Sequence, residues 1–272
     1  MKEYDLIVIG AGTGGYVAAI RAAQLGLTVA VIEKQKALGG TCLIWGCIPT
    51  KALLEHAHAL KIAQHAKEWG LTIGEAAVGI NMTAVQARKD RVVTGLTRGV
   101  EFLFKKNKID WIKGTARLIG QGAVDVFEGE KQTLRASKEI IVATGSSPRS
   151  VPGIEIDRKR IITSDEAIGL REVPKTIAVL GCGAVGVEFA SIFRRFGSDV
   201  TILELLPRLV PIEDEAVSAE LEKSFRRQGI TSHTGATVTS AKVHGEIVEI
   251  DARLASGRSA GRPKKSMSAP RK

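Results

Sequence analysis

Two stretches of the 272-residue chain share one arrangement of glycines and carboxylates, and this repeat constrains the fold more than any other feature. In the first stretch, the apolar run Leu6 to Ile9 leads into a G-x-G-x-x-G turn, a helix and a second apolar run. Glycine is required in such a turn because the turn is tight, the backbone must approach a pyrophosphate, and the helix must pack closely on the strand. The helix N-terminus then binds phosphates, and the acid that ends the second run accepts hydrogen bonds from a ribose diol. The predicted nucleotide-binding residues here are Gly10, Gly12, Gly15 and Glu33.

The same arrangement returns later in the chain, in TIAVLGCGAVGVEFASIFRRFGSDVTILEL. Five positions keep one offset of 171 residues (181 − 10), namely Gly181, Gly183, Gly186, Gly197 and Glu204 after Gly10, Gly12, Gly15, Gly26 and Glu33. This agreement predicts an α/β protein with two Rossmann-like dinucleotide-binding domains, which is what a flavoenzyme needs to exchange hydride with a nicotinamide. Glu204 favours NAD over NADP, because a carboxylate repels a 2′-phosphate. Cys182, inside the second turn, is predicted to be a small buried filler.

Cys42 and Cys47 stand in the segment GGTCLIWGCIPTK, residues 39–51. They could be buried structural thiols, half of a zinc site, or a redox-active disulfide. A tetrahedral zinc needs two further ligands, and the third cysteine of the chain lies in the second glycine turn. Pro49 suits a first helical turn, and free N–H groups at a helix start lower the pKa of a nearby thiol. The redox interpretation is therefore favoured.

GGTCLIWGCIPTK resembles the active-site segment of the disulfide-reducing flavoenzymes that use FAD and a nicotinamide nucleotide, and its form is most similar to that of the dihydrolipoamide dehydrogenases. Ile44 departs from this pattern, which has Asn there. The resemblance implies that dihydrolipoamide attacks a Cys42–Cys47 disulfide, with Cys42 as the interchange thiol and Cys47 nearer the flavin. It also implies that Lys51 stabilises negative charge on the reduced flavin and pairs with Glu188.

The resemblance implies further cofactor contacts, with FAD on the first fold and NAD on the second. They are Gly40, Thr41, Lys51, Ala116 and the Ala143-Thr144-Gly145 segment for the first fold, and Val238 for the second. The sequence predicts an FAD-binding domain over residues 1–150 and an NAD-binding domain over 151–251. Between the two repeats it predicts helices over 52–67 and 83–107, followed by a short antiparallel excursion.

The basic charge of the chain lies mostly in its last segment. The net charge is +10, and residues 252–272 hold seven Lys or Arg and no acid, so the rest carries only +3 (10 − 7). This segment has little to bury and is predicted to be disordered. It lacks interleaved aromatics for base stacking, so a nucleic acid partner is not expected. The apolar runs of the chain are only as long as β-strands, which excludes a membrane-spanning helix. Three cysteines favour a reducing, cytoplasmic compartment.

Compared with a full-length relative, the chain is expected to be an N-terminal piece. The interface domain that forms the homodimer and supplies a His–Glu pair is not expected here, and no histidine is followed by proline among His56, His58, His65, His233 and His244. Impaired dihydrolipoamide oxidation is therefore expected, with a 2-oxoacid dehydrogenase complex as the partner of the longer relatives. The alternatives are another disulfide or mercuric-ion reductase, and a non-catalytic nucleotide-binding module whose basic tail contacts nucleic acid.

Overall fold

The computed structural model describes residues 1–74 and 78–254, which group into two compact units. One unit comprises Met1–Pro49 and Arg88–Ser147. The other comprises Thr50–Ala87 and the described residues from Pro148 onward. This division differs from the predicted domain boundaries because residues 50–87 group with the second unit.

The first unit is built on a mixed sheet of five strands. Its elements, two of which continue into the second unit, are β1 (Lys2–Ile9), α1 (Thr13–Gln24), β2 (Val29–Glu33), α2 (Gly40–Ile44), α3 (Cys47–Gln64), α4 (Met82–Lys106), β3 (Asp110–Gly120), β4 (Ala123–Gly129) and β5 (Gln132–Val142). β1 pairs in parallel with β2 and β5, and β2 pairs in parallel with β3. β4 lies antiparallel between β3 and β5 and closes the sheet into a ring.

Apolar side chains cover both faces of this sheet. β2 is buried at all five positions, as expected for a parallel strand covered on both sides. Leu6 and Val8 pack in one cluster with Val100 and Phe104 of α4. On the opposite face of β1, Ile7 packs in a second cluster with side chains of β3, β4 and β5.

The second unit contains a smaller parallel sheet and a hairpin. After a 3₁₀ turn (Ala66–Trp69), its elements are α5 (Ser164–Ala167), β6 (Thr176–Leu180), α6 (Ala184–Phe196), β7 (Asp199–Leu203), α7 (Glu215–Gln228), β8 (Thr231–His233), β9 (Ala236–His244) and β10 (Ile247–Leu254). The parallel order is β6-β7-β8, and β9 pairs antiparallel with β10. Asp214 caps α7 by accepting from the Ala216 N–H, and Gly229 ends it in the left-handed conformation.

Most predicted elements are confirmed, with differences at their boundaries. β3 and β4 pair antiparallel and form the predicted antiparallel excursion, in which β3 is one continuous strand. β10 runs to Leu254, so the first three residues of the predicted tail are strand, and residues 255–272 lie outside the described part. Across the described residues, no helix is long and apolar enough to cross a membrane.

The helix and strand of each repeat come closest at one glycine. A Cβ built on Gly15 would collide with the Gly10 carbonyl oxygen and lie 3.4 Å from Val8 Cγ1. In the second repeat, a Cβ on Gly186 would collide with the Gly181 carbonyl oxygen. The third glycine of each motif is therefore required by packing of the helix on the strand.

Gly15→Ala is expected to lower the free energy of unfolding of the chain by roughly 1–3 kcal/mol, because the methyl group forces α1 away from β1. Gly14→Ala is the matched control, since a Cβ there meets nothing within 4 Å and alanine favours a helix. Urea unfolding followed by circular dichroism measures both variants. Equal stability of the two variants would contradict this account of the packing.

Candidate functional site

The first glycine turn is held by a buried carboxylate. Gly10 N–H donates to the Ile32 carbonyl oxygen at 2.8 Å, as if it extended the β1–β2 ladder. Ala11 N–H donates to Glu33 Oε2 at 2.8 Å, and Gln35 N–H donates to Oε1 at 2.9 Å. Each carboxylate oxygen keeps a second acceptor position, so Glu33 can fix the turn and still accept from a ligand hydroxyl.

The second turn repeats these hydrogen bonds at the same offset of 171 residues. Gly181 N–H donates to the Leu203 carbonyl oxygen at 2.9 Å, and the N–H groups of Cys182 and Leu206 donate to the two oxygens of Glu204 at 2.8 Å each. Burial raises the pKa of Glu204, but the hydrogen bonds from Leu206 and Cys182 outweigh it, so the pKa lies below its usual value. Glu204 is therefore held as a carboxylate.

Both turns lead into helices without a side-chain cap. Gly12 is the N-cap of α1 and Gly183 is the N-cap of α6, and neither helix has a side chain that accepts from its first N–H groups. Uncapped N–H groups beside a surface without Cβ atoms suit a phosphate. Each turn thus fits the pyrophosphate of a dinucleotide.

The Ala143-Thr144-Gly145 segment lies beside the first turn. Ala143 N–H donates to the Ile9 carbonyl oxygen at 2.8 Å, and a Cβ on Gly10 would collide with the Ala143 carbonyl oxygen. Ala143 is half-buried, while Thr144 and Gly145 are exposed. The structure therefore brings this predicted segment to the glycine turn.

Backbone contacts also bring the cysteine segment to the turn. Gly39 N–H donates to the Ala11 carbonyl oxygen at 2.9 Å. Gly40 has φ +60°, and a Cβ on it would collide with the Gly12 Cα. Only glycine permits this approach, which places Thr41 and Cys42 of α2 directly beside the first nucleotide-binding turn.

Cys42 and Cys47 are free thiols. Cys42 is half-buried, and Cys47 is exposed as the first residue of α3. Burial and the neighbouring Cys47 thiol raise the pKa of Cys42, and they outweigh the Thr13 side chain and the Cys47 backbone N–H, which lower it. The role of the cysteine pair stays a prediction.

Lys51 and Glu188, both in the second unit, form an ion pair between α3 and α6. This confirms the predicted pairing and leaves its chemical role a prediction. About half of the Lys51 side chain, 57%, is exposed, so the ion pair contributes little to stability.

Two residues that were predicted to contact a cofactor, Ala116 and Val238, lie within paired strands. Among the described residues, no contact joins either of them to a glycine turn. Ala116 pairs with Val126 at an irregularity of the β3–β4 ladder. Val238 pairs with Ala252 in the β9–β10 hairpin. Their roles stay predictions.

Cys182 is fully buried, as predicted. Burial and the neighbouring Glu204 raise the pKa of its thiol to about 12, which makes it unreactive. Within residues 1–74 and 78–254, no group of three His, Cys, Asp or Glu side chains could hold a metal ion.

Sequence reasoning missed Thr13 as a site residue. Its side chain acts to lower the pKa of Cys42, against the larger effect of burial, although the two residues are 29 positions apart in the chain (42 − 13). The available signal was its place directly after the Gly-x-Gly turn, at the start of α1.

The chain is similar to curated dihydrolipoyl dehydrogenases. Dihydrolipoyl dehydrogenase 3 of Pseudomonas putida is 46% identical over 258 residues, covering 94% of this chain and 55% of the relative. Dihydrolipoyl dehydrogenase of Bacillus subtilis (strain 168) is 46% identical over 245 residues, covering 87% and 51%. The chain thus spans about half the length of these relatives.

A solved structure agrees with the fold. The Cu(II) complex of the HOCl-induced flavoprotein disulfide reductase RclA from Escherichia coli matches with a TM-score of 0.79 and 30% identity, covering 92% of this chain and 53% of that one. The sequence pattern of the pyridine nucleotide-disulphide oxidoreductases matches residues 4–261. The chain therefore belongs to the pyridine nucleotide-disulphide oxidoreductase family.

Proposed function

We propose that this chain carries the nucleotide-binding folds and the redox-active cysteine pair of a dihydrolipoyl dehydrogenase, which oxidises dihydrolipoamide to lipoamide and reduces NAD⁺. The observation that carries this proposal is the close approach of Gly40 to Gly12, which places the cysteine segment beside the first glycine turn. Dihydrolipoyl dehydrogenases at 46% identity support the choice of substrate.

The cysteine pair does the thiol chemistry. In the disulfide form, a thiolate of dihydrolipoamide attacks Cys42, a mixed disulfide forms, and Cys47 leaves as a thiolate. The second thiol of the substrate, as its thiolate, then attacks the substrate sulfur of this mixed disulfide, so lipoamide forms and Cys42 leaves. The substrate loses two electrons and two protons, and the cysteine pair gains the two electrons.

The first unit fits FAD, which members of this family use together with NAD(H). Gly10, Gly12 and the start of α1 would hold the pyrophosphate, and Glu33 would accept from the adenosine ribose. Gly40, Thr41, Ala116 and the Ala143-Thr144-Gly145 segment complete the proposed FAD site. When bound, FAD supplies a two-electron carrier between the dithiol and the pyridine nucleotide.

The second unit fits NAD⁺ through the matching residues of the second turn. Gly181, Gly183 and Gly186 would admit the pyrophosphate, Glu204 would bind the ribose diol, and Val238 stays in the proposed site. The Lys51–Glu188 ion pair holds a cation on α3, and Lys51 would stabilise negative charge on a reduced flavin.

A lipoyl-bearing 2-oxoacid dehydrogenase complex is the proposed partner of the longer relatives, which we infer to be homodimers. The cytoplasm is the proposed compartment of this chain. None of the five histidines of this chain is followed by proline, the context in which the family places its general base. We infer that this chain alone turns over slowly, since loss of a positioned base costs roughly a hundredfold to ten-thousandfold in rate.

The proposal predicts a substrate preference and a disulfide. With FAD and NAD⁺ present, dihydrolipoamide should be oxidised faster than glutathione, and Hg²⁺ should not be reduced with NADPH. Cys42→Ser and Cys47→Ser should each lower the dihydrolipoamide rate by on the order of a hundredfold or more, because each removes half of the exchanging pair.

Peptide mass spectrometry after mild oxidation provides the matched check. Cys42 and Cys47 should be joined with loss of two hydrogens, while Cys182 stays a thiol because it is buried. Joining of Cys182 to either cysteine, or preferential reduction of Hg²⁺, would refute the proposal.

NADH is predicted to bind the chain about tenfold more tightly than NADPH, because Glu204 repels a 2′-phosphate. Isothermal titration calorimetry measures both affinities. Glu204→Ala should weaken NADH binding and reduce the difference between the NADH and NADPH affinities. Glu249→Ala is the control, because Glu249 is an exposed acid in β10, and it should change neither affinity. A preference for NADPH in the unaltered chain would show that Glu204 does not select the nucleotide.

A further inference from the structure

Residues 205–214 form a loop between β7 and α7, the second-turn loop, which packs against the second glycine turn. Two hydrogen bonds join this loop to Cys182 in the turn. Val210 N–H donates to the Cys182 carbonyl oxygen at 3.1 Å, and the Cys182 thiol donates to the Arg208 carbonyl oxygen with an S···O distance of 3.6 Å. The position of the turn therefore depends on the conformation of the loop.

Val210 has a backbone conformation that its side chain disfavours. Its φ is +41°, in the left-handed region, where a β-branched residue is an outlier. In the first repeat, the position 171 residues earlier is Gly39, whose N–H donates to the Ala11 carbonyl oxygen just as Val210 N–H donates to that of Cys182. Gly39 has φ +124° and lacks a Cβ, so it adopts a positive φ at little cost. The second repeat makes the same hydrogen bond with a strained valine.

The side chain of Arg208 connects the two sides of this strained residue. Its Nη1 donates to Glu215 Oε1 at 2.6 Å, and its Nη2 donates to the carbonyl oxygens of Pro211 and Glu213 at 3.1 and 3.2 Å. Arg208 precedes Val210 in the chain, and the three acceptors follow it. The guanidinium therefore holds the second-turn loop closed around the valine.

We propose that Arg208 is a positioning residue for the second nucleotide-binding turn. Its guanidinium keeps the loop packed over Cys182 and keeps Val210 in the left-handed conformation that the hydrogen bond to the turn requires. A strained residue persists only where the surrounding contacts fix it. The first repeat supports this role, because a glycine needs no such support and Ala37 stands there at the place of Arg208.

The consequence for nucleotide binding rests on the proposed function, in which Glu204 binds the ribose diol of NAD⁺. Leu206 N–H, in the second-turn loop, donates to Glu204 Oε1 at 2.8 Å. Without the Arg208 side chain, Val210 is expected to relax toward a negative φ, which breaks its hydrogen bond to the turn and shifts the loop. The carboxylate of Glu204 then loses part of its fixed orientation, so NADH should bind more weakly.

The first test is the rate at which iodoacetamide alkylates Cys182 at pH 8, quantified by peptide mass spectrometry on the full chain. Cys182 is fully buried, so it reacts only through an opening of the structure. Arg208→Ala should raise the rate by about tenfold or more, because the loop opens more often. Arg208→Lys should also raise it, since one ammonium group cannot replace a planar guanidinium that donates to three acceptors.

Arg227→Ala is the matched control, because it removes the same charge from an exposed position in the last turn of α7. It should leave the alkylation rate of Cys182 unchanged. Circular dichroism reports whether each variant is folded.

Val210→Gly separates the positioning role from a general loss of stability. Glycine accepts the left-handed conformation, so adding Arg208→Ala to Val210→Gly should change the alkylation rate by less than about twofold. If Arg208 merely added to overall stability, the double variant would react faster than either single variant. Val210→Asn also tolerates the left-handed conformation and gives the same comparison if the glycine variant does not fold.

The second test is calorimetric titration with NADH. Arg208→Ala and Arg208→Lys should each weaken binding by about tenfold, whereas an arginine that only attracted the negative nucleotide would be replaced by lysine without loss. Val210→Gly should remove most of the loss that Arg208→Ala causes.

Three results would overturn the positioning role: an unchanged alkylation rate in folded Arg208→Ala, additive effects in the double variant, or full NADH affinity in Arg208→Lys. If the unaltered chain does not bind NADH, the proposed function fails. The alkylation rates would still decide whether Arg208 holds the loop, because they are measured without nucleotide.

Discussion

The structure around the cysteine pair depends on one close contact between backbones. Gly40 approaches Gly12 so closely that a Cβ on Gly40 would collide with the Gly12 Cα, and the Gly39–Ala11 hydrogen bond secures the same approach. A segment that contains a half-buried thiol is thereby fixed to a turn that suits a pyrophosphate. The proposed nucleotide site and the cysteine segment therefore share one piece of backbone.

The two repeats hold their glycine turns in place with the same hydrogen bonds. In each, a glutamate at the end of the second strand accepts from two backbone N–H groups, one of them in the glycine turn. The carboxylate therefore stabilises the turn through the backbone of the protein alone. This double role explains why the acidic residues Glu33 and Glu204 are buried, since buried polar groups persist where they are hydrogen-bonded.

Much of this organisation could be predicted from the sequence, because the glycine turns and the helix ends have local causes. Gly15 and Glu33 show this clearly. The sign of the Cys42 pKa shift was not predictable in the same way, because burial depends on how α1, α2 and α4 pack around the residue. The exact end of β10 depends on its pairing with β9, which no local pattern indicates.

The central claim is that a bound flavin lies beside the cysteine pair. The most direct measurement is the visible absorption spectrum of the chain loaded with FAD, recorded anaerobically before and after addition of dithiothreitol. We expect the flavin band to change on reduction of the Cys42–Cys47 pair, and to change differently in Cys47→Ser. A flavin spectrum that is identical in the unaltered chain and in Cys47→Ser under both conditions would contradict the account.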